Sequence, residues 1–230
     1  MKVLLIEPPK VSWELMGKNV SPPLGLAYLA GTLEKEVDVS IIDCNAENTD
    51  WEGLRREIKR YDPDFVGATA YTPQIYEALK TMKVTKEVNE DIKTVLGGPH
   101  VTFMAKETLK NKEVDFIVRG EGEETFLELL KFHENPKKVK GIVFREGETI
   151  IETPERESSD VNKIPMPAYH LLPMNKYYFK VFGNFTTIIT SRGCPHKCTF
   201  CSEWKFWGSC WRRRKAESVV DEIEILHEKY

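Results

Sequence analysis

Short apolar runs and helical segments alternate over the first 135 residues, and this alternation constrains the fold more than any other feature. Five runs rich in β-branched residues have strand length and end at turn residues: KVLLIE (2–7), VDVSIID (37–43), DFVGATA (64–70), IKTVLGG (92–98) and VDFIVRG (114–120). Between them, apolar residues recur with helical spacing at Leu26, Leu29, Ala30 and Leu33, and again at Phe126, Leu129, Leu130 and His133. Strands that alternate with helices predict βαβ units with right-handed crossovers. The sequence therefore predicts an α/β domain over residues 1–136, with a five-stranded, doubly wound parallel sheet of Rossmann or flavodoxin type.

The hydrophobic pattern changes after this domain. Two apolar-alternating runs flank REGE within residues 139–155, which predicts a β-hairpin. The segment that follows, up to residue 184, contains three prolines and many aromatic residues but little glycine or serine. Residues 137–184 are therefore predicted to form a hairpin and then a linker that packs on a surface.

The last segment, residues 185–230, begins with a predicted strand, TTIITSRG, and continues with a cysteine-rich loop. A helix is predicted from about Ala216, and Val219, Ile223 and Leu226 share one of its faces. No internal repeat interrupts this organisation.

Composition and charge argue against several classes of function. The net charge is −3, so no basic excess favours nucleic acid or an anionic membrane. The longest apolar runs are too short for a membrane span, and MKVLLIEPPK lacks the apolar core of a secretory signal. We therefore expect a cytoplasmic protein without a membrane partner. Five cysteines in a reducing compartment argue against a disulfide framework, and Cys44 is predicted to be a partly buried residue at a strand end.

Four loops at one predicted edge of the sheet carry glycine, proline or hydroxyl residues. After the first strand come two prolines and a long loop to SPPLG, and the next loops at this edge are TAYTPQ (69–74), GGPH (97–100) and RGEGEE (119–124). Ligands of open parallel sheets bind beyond the carboxyl ends of the strands. No G-x-G-x-x-G motif follows the first strand, and no P-loop motif is present. The edge is therefore predicted to hold a broad ligand through several loops.

The motifs PPLGLAYLAGTLE (22–34), GGPHVT (97–102) and RGEGEETF (119–126) precede three clustered cysteines. In this order they resemble the cobalamin-binding domain of cobalamin-dependent radical S-adenosylmethionine enzymes. The resemblance implies that the corrin and its nucleotide tail lie against Thr69, Tyr71, Thr72, Gly97, Gly98, Gly120 and Glu121. The D-x-H-x-x-G motif of many cobalamin-binding domains is missing, and Tyr71 stands roughly where its histidine would be sought. The resemblance therefore does not identify the residue that would bind the lower axial position of cobalt. His100 is either an alternative ligand or an ordinary loop residue.

Two charged stretches are predicted to be solvated. Glu121, Glu123 and Glu124 lie at a predicted helix N-terminus, where the helix dipole favours acidic side chains, and no catalytic role is expected of them. The basic stretch WRRRK (211–215) could follow a phosphate backbone. The alternative is a solvated loop that leads into the last helix, and we expect no nucleic-acid partner.

Three cysteines, Cys194, Cys198 and Cys201, lie within eight residues and predict metal or redox chemistry. A structural zinc site needs four ligands, and His196 or Cys210 would have to supply the fourth. A thioredoxin-like pair would leave Cys194 without a role. A 4Fe–4S cluster held by three cysteines would keep one iron open for a substrate or cofactor.

The spacing C-x-x-x-C-x-x-C, with Phe200 before the last cysteine, resembles the signature of radical S-adenosylmethionine enzymes. The resemblance implies that the three thiolates hold a 4Fe–4S cluster and that the open iron chelates S-adenosylmethionine, with Phe200 near the adenine. One electron from the cluster would cleave this cofactor to methionine and a 5′-deoxyadenosyl radical. A flavodoxin or ferredoxin would donate the electron, and the substrate would be a small molecule or a peptide of unknown identity.

The reactions implied by the resemblance are methyl transfer to an unactivated carbon and related radical cyclisations. The radical domain of this family is a partial (β/α) barrel, and residues 185–230 match its first strand, its cluster loop and its first helix. We expect the chain alone to be inactive, because the remaining barrel would lie on a longer chain or on a second polypeptide. A non-catalytic module that binds cobalamin or a cluster, or a structural zinc site, is the alternative.

Overall fold

A seven-stranded sheet forms the centre of the computed structural model, which describes residues 1–9, 20–181 and 183–230. The strands are β1 (Lys2–Glu7), β2 (Asp38–Asp43), β3 (Phe65–Thr69), β4 (Lys93–Gly97), β5 (Phe116–Val118), β6 (Ile142–Glu146) and β7 (Thr149–Glu152). Their spatial order is β2-β1-β3-β4-β5-β6-β7, and the first five are parallel. The predicted α/β class is confirmed. The predicted hairpin, β6 and β7, adds two antiparallel strands to the same sheet beside β5.

Helices cover both faces of the sheet and create two apolar cores. The helices are α1 (Leu24–Leu33), α2 (Cys44–Glu47), α3 (Trp51–Tyr61), α4 (Ile75–Val88), α5 (Pro99–Phe103), α6 (Ala105–Thr108), α7 (Glu123–Phe132), α8 (Glu203–Phe206) and α9 (Ala216–Lys229). Helices α1 and α7 pack on one face around Phe65, and α3 and α4 pack on the other around Val66. Burial on both faces explains why the strands are continuous apolar runs. Within the described ranges, no helix has the length and apolarity that crossing a membrane requires.

Carboxylate caps determine where two of the helices begin. The Asp50 carboxylate accepts a hydrogen bond from the Gly53 amide at 2.7 Å at the start of α3. Asp43, the last residue of β2, accepts hydrogen bonds from two amides of α2 at 2.9 and 3.0 Å. These bonds satisfy amides that a helix leaves unpaired in its first turn. Cys44 follows Asp43 and is buried at the strand end, where burial and then the charge of Asp43 raise the pKa of its thiol.

The linker packs against α1, in agreement with the prediction. The Ala168 amide donates to the Ala27 carbonyl oxygen at 2.9 Å, and Tyr169 is buried in the core on this face of the sheet. Helix and linker touch so closely at Gly31 that a Cβ atom there would lie 2.3 Å from the Met166 carbonyl oxygen. A side chain at this position would therefore displace the linker backbone.

Short antiparallel strands shape the end of the linker and the C-terminal segment. They are β8 (Tyr178–Phe179) paired with β9 (Gly183–Asn184), and β10 (Ser191–Arg192) paired with β11 (Arg212–Arg213). The strand predicted over 186–193 is reduced to β10, because residues 186–190 have no neighbouring strand in the part of the chain that the structure describes. The loop predicted between Pro9 and Ser21 falls largely on residues 10–19, which lie outside the described residues, as does Phe182.

Helix α9 begins at Ala216, as predicted, but its buried face differs from the prediction. Leu226 is buried and Val219 is half-buried, whereas Ile223 is 49% exposed. Glu222 takes the interior position instead and is 0% exposed. The helix turns this carboxylate inward because buried partners from distant parts of the chain neutralise it, and apolar spacing alone does not reveal those partners.

The Glu222 carboxylate joins the linker, α1 and α9. The Tyr169 hydroxyl donates to Glu222 Oε1 at 2.5 Å, and Arg214 pairs with Glu222 Oε2. Arg214 also donates to the Ser218 carbonyl oxygen at 2.9 Å and lies 3.3 Å from the Tyr28 hydroxyl oxygen. Burial and then the charge of Glu222 raise the pKa of Tyr28 to about 12.

We predict that Gly31→Ala destabilises the protein, although Ala normally favours a helix over Gly by about 0.5–1 kcal/mol. The clash with the Met166 carbonyl oxygen outweighs that gain, and we expect a net loss of about 1–3 kcal/mol in the free energy of unfolding. Gly25→Ala in the same helix is the matched control, because a Cβ atom there meets nothing within 4 Å. Urea unfolding of both variants measures the difference. Equal stability of the two variants would contradict the close packing of the linker on α1.

We predict that Tyr28 makes stability fall at alkaline pH. Its pKa is raised from 10.0 to about 12 in the folded state, so its contribution is complete below pH 10 and is lost as pH rises towards 12. Two pKa units correspond to about 2–3 kcal/mol. Tyr28→Phe should therefore lose stability less steeply than the wild type over this interval in urea unfolding. Tyr76→Phe, at an 80% exposed position, should keep the wild-type slope, and parallel curves for Tyr28→Phe and the wild type would contradict the prediction.

Candidate functional site

A cavity of about 740 Å³ lies at the carboxyl edge of the parallel sheet. Strand residues such as Ala68 and Val95 line its base, and the start of α1 and the loops after β3, β4 and β5 line its sides. The C-terminal segment contributes Ile188, Phe206 and Trp207. The cavity therefore lies between the first domain and residues on both sides of the three clustered cysteines.

Most of the residues predicted to contact cobalamin line this cavity. They are Thr69, Tyr71, Gly97, Gly98, Gly120 and Glu121. Thr72 is not among the lining residues, and its Oγ1 lies 3.2 Å from Nδ1 of His100 on α5. Within the described residues, no histidine lines the cavity. His100 lies on α5 and is not among the residues that line the cavity.

Glycines and one threonine shape the edge of the cavity. Gly98 has φ +99°, and a Cβ atom there would lie 2.8 Å from Thr69 Oγ1, so the turn requires glycine. Thr102 Oγ1 donates to the Gly98 carbonyl oxygen at 2.9 Å and accepts from the Gly120 amide at 3.0 Å, which ties together the loops after β4 and β5. At Gly97 a Cβ atom would meet nothing closer than 3.9 Å. The edge thus presents bare backbone to open space.

Tyr71 brings a hydroxyl to the cavity. About half of its side chain is exposed, and burial of the rest, followed by the charges of Glu7 and Glu203, raises its pKa. Glu7 ends β1 and Glu203 begins α8, so both halves of the cavity wall contribute a carboxylate. The Tyr71 phenol stays protonated at neutral pH and can donate a hydrogen bond to a ligand.

Four largely buried residues, Arg192, Arg212, Glu121 and Glu123, form a charge cluster beside the cavity. Arg192 Nη1 lies 2.8 Å from Glu121 Oε2, and its Nη2 lies 2.6 Å from Glu123 Oε1. Arg212 Nη2 lies 2.7 Å from Glu121 Oε1. Burial alone would lower the pKa of Arg192, but Glu123 and Glu121 raise it above its ordinary value. The charge cluster pairs two guanidinium groups with two carboxylates, so its formal charges balance.

The charge cluster also contacts aromatic rings and backbone carbonyls. The Arg192 guanidinium lies 5.2 Å from the ring centroid of Tyr28 and 4.8 Å from that of Trp207. Arg212 donates to the carbonyl oxygens of Trp207 at 2.7 Å and Ser159 at 2.6 Å. Helix α1, the linker and the end of the cysteine loop therefore meet at this cluster.

The prediction that these charges are solvated is wrong for most of them. The side chains of Glu121 and Glu123 are 7% exposed, and only Glu124 is exposed as predicted. In WRRRK, the side chains of Arg212 and Arg214 are largely buried in ion pairs. Their partners lie far away in the sequence, so the local charge pattern does not distinguish a solvated run from a buried network.

The cysteine loop, residues 193–211, connects β10 to β11. Its base is closed by a hydrogen bond from the Cys194 amide to the Gly208 carbonyl oxygen at 3.1 Å. Gly193 has φ +85°, and a Cβ atom there would lie 2.0 Å from the Cys210 carbonyl oxygen. The two ends of the loop are therefore in direct backbone contact.

The cysteines of the triplet are free thiols. Cys198 is exposed, Cys194 and Cys201 are half-buried, and Phe200 is 91% exposed. In the described parts of the chain, no group of three or more His, Cys, Asp or Glu side chains has an arrangement that could hold a metal ion. The structure thus places the predicted cluster ligands in one loop without bringing their sulfur atoms together.

Sequence reasoning missed the residues that close the cavity from the C-terminal side, Glu203, Phe206 and Trp207. It also missed Arg192 and Arg212 as a pair. One signal was available, because these two arginines lie directly outside the two ends of the cysteine loop. The signal does not identify their acidic partners.

Sequence comparisons match the chain to a known domain family and to curated relatives. The B12 binding domain family matches residues 17–130. The uncharacterized methyltransferase PH0819 of Pyrococcus horikoshii is 43% identical over 238 residues, which cover 100% of this chain and 51% of that protein. The anaerobic magnesium-protoporphyrin IX monomethyl ester cyclase of Rubrivivax gelatinosus is 38% identical over 241 residues, covering 98% of this chain and 42% of the cyclase. The chain thus spans about half the length of these curated relatives, or less.

A solved structure has the same fold. The radical S-adenosylmethionine methyltransferase TsrM of Kitasatospora setae, with cobalamin and a [4Fe-4S] cluster bound, superposes with a TM-score of 0.75 at 20% sequence identity. The match covers 99% of this chain and 46% of TsrM. Together with the sequence relatives, the domain match shows that the chain contains a B12-binding domain at residues 17–130, and the superposition shows that it shares the fold of this part of TsrM.

Proposed function

We propose that the chain binds cobalamin in the cavity and a 4Fe–4S cluster at Cys194, Cys198 and Cys201. It would be part of a radical S-adenosylmethionine enzyme that methylates an unactivated carbon or carries out a related radical cyclisation. The observation that carries the proposal is the position of the cavity. It lies at the carboxyl edge of a B12-binding domain, and the short helix that follows Cys201 lines its other side.

The residues around the cavity fit a corrin. Gly97 and Gly98 leave backbone rather than side chains at the sheet edge, so a broad ring can approach closely. Thr69 and Tyr71 supply hydroxyls, and Gly120 leaves room beside the loop after β5. Glu121 contributes through the charge cluster, because arginines occupy both of its carboxylate oxygens. We assign no protein ligand to the cobalt.

The chemistry of the loop fits the cluster, because three free thiols lie in one short segment. Metal binding commonly orders its own ligands, so we expect the thiols to converge when iron and sulfide are supplied. When bound, the cluster supplies the electron that cleaves S-adenosylmethionine, and cobalamin supplies methyl-transfer chemistry. Phe200 would contact the adenine of S-adenosylmethionine. The electron donor would be a flavodoxin or ferredoxin.

The chain alone is not expected to turn over substrate, because it covers only about half of its relatives. Those relatives are named as methyltransferases and as a cyclase, which supports methyl transfer or cyclisation as the reaction class. The substrate would be a small molecule or a peptide, and its choice would depend on residues beyond this chain.

We predict that Gly97→Leu weakens the binding of hydroxocobalamin by about 10-fold or more, equivalent to ~1.4 kcal/mol. The new side chain would occupy the cavity without backbone strain, because φ of Gly97 is not positive. Lys93→Leu, at the opposite end of β4, is the matched control and should bind like the wild type. Equilibrium titration followed by absorbance measures the affinity. A wild-type chain that retains no corrin after gel filtration would refute the cobalamin assignment.

We predict that Cys198→Ser abolishes the cluster, whereas Cys210→Ser retains it. Cys198 belongs to the triplet, and the proposal assigns Cys210 no ligand role. Anaerobic reconstitution followed by iron and sulfide analysis and by charge-transfer absorbance measures the loading. Loss of loading in both variants would indicate a fourth cysteine ligand, and tight zinc without bound sulfide would support the structural zinc alternative instead.

A further inference from the structure

We propose that the charge cluster couples the cavity to the cysteine loop, so that filling either site strengthens binding at the other. Arg212 is then a positioning residue, which acts on the two sites through the elements it holds, whereas Arg192, Glu121 and Glu123 hold these elements and also line the cavity. This inference rests on the proposed function, with a corrin as the cavity ligand and an iron–sulfur cluster as the loop ligand.

The two sites share a wall. Helix α8 begins two residues after Cys201, and its residues Glu203 and Phe206 line the cavity together with Trp207. A ligand in the cavity therefore contacts α8, the same short segment that must be ordered when Cys201 binds iron.

The charge cluster holds this wall at both ends of the cysteine loop. Arg192 lies two residues before Cys194, and Arg212 lies two residues after Cys210. Both arginines bind Glu121, which itself lines the cavity. Arg192 packs on the Trp207 ring at 4.8 Å, so one guanidinium contacts the cavity wall and the start of the loop at the same time.

The tip of the loop, residues 195–200, is exposed to solvent. Cys198 is exposed and Phe200 is 91% exposed, and the described thiols do not converge on a metal-binding geometry. Assembly of a cluster must therefore order the tip, which costs conformational entropy. A cavity ligand that immobilises α8 reduces this cost in advance, because the first ligand has already ordered part of what the second requires. By linkage, the two affinities must change by the same factor.

Arg192 is the residue whose replacement tests the coupling best. Its guanidinium binds two carboxylates and lies near two aromatic rings. A lysine keeps the charge but offers a single point donor without a planar fork, so it cannot hold all of these contacts. Arg192→Lys should therefore preserve the fold while loosening the connection between loop and cavity.

The experiment compares the dissociation constant of hydroxocobalamin for the full chain before and after anaerobic cluster reconstitution. We expect reconstitution to tighten hydroxocobalamin binding by about 5-fold or more in the wild type, within the usual range of coupling between sites. In Arg192→Lys, the hydroxocobalamin dissociation constants before and after reconstitution should be nearly equal, so that their ratio approaches one. The matched control is Arg156→Lys, whose arginine pairs with Glu128 and Glu124 of α7 and contacts Thr125, away from the cysteine loop.

The ratio of the hydroxocobalamin dissociation constants before and after reconstitution separates a positioning role from a purely structural one. General destabilisation of the fold would change both constants by the same factor and leave their ratio unchanged. Glu123→Gln, a neutral variant of the same size, is the second test and should also reduce the ratio. An unchanged hydroxocobalamin constant in a wild type that binds both probes would overturn the coupling and leave the proposed function standing. So would equal ratios in Arg192→Lys and Arg156→Lys. A wild type that binds neither probe would overturn the proposed function and the coupling together.

Discussion

Two arginines at the ends of the cysteine loop and two glutamates after β5 occupy one buried volume, and the position of the C-terminal segment depends on their pairing. Taking a charge out of water costs several kcal/mol, and close opposite charges offset this cost only with good geometry. Leaving one of these charges unpaired would cost about 3–5 kcal/mol. The charge cluster therefore disfavours any arrangement in which the cysteine loop is displaced along the edge of the sheet, because such a displacement would separate the ion pairs.

The cavity follows from this constraint. Its base is the carboxyl edge of a parallel sheet, where glycines at positions 97 and 98 leave the backbone bare. Phe206 and Trp207 form part of its outer wall. The charge cluster holds this wall, because Arg212 donates to the Trp207 carbonyl oxygen and Arg192 lies over the Trp207 ring. The linker fixes the position of α1, whose start lines the cavity, because helix and linker backbone are in direct contact at Gly31. Three segments from distant parts of the sequence thus enclose one ligand site.

The cysteine loop combines a fixed base with an exposed tip. Backbone contacts at Gly193 and the pairing of β10 with β11 close the base, while Phe200 extends into solvent. A loop of this kind leaves its thiols free to adapt to a ligand, and the ligand then supplies the ordering energy. Under the proposed function, the base places the cysteines next to the cavity and the metal completes their geometry.

The sequence by itself determined the elements of this protein, because strand and helix periods are local properties of the chain. It placed all five parallel strands, the hairpin and the start of α9, and it selected Thr69, Tyr71 and Gly98 for the edge where the cavity lies. Only the tertiary structure decided which charges are buried. Glu123 meets Arg192 across 69 positions, and Glu222 displaces Ile223 from the interior of α9 through its pairing with Arg214 and Tyr169. Such pairs depend on distances that exist only after the chain has folded, and no local pattern encodes them.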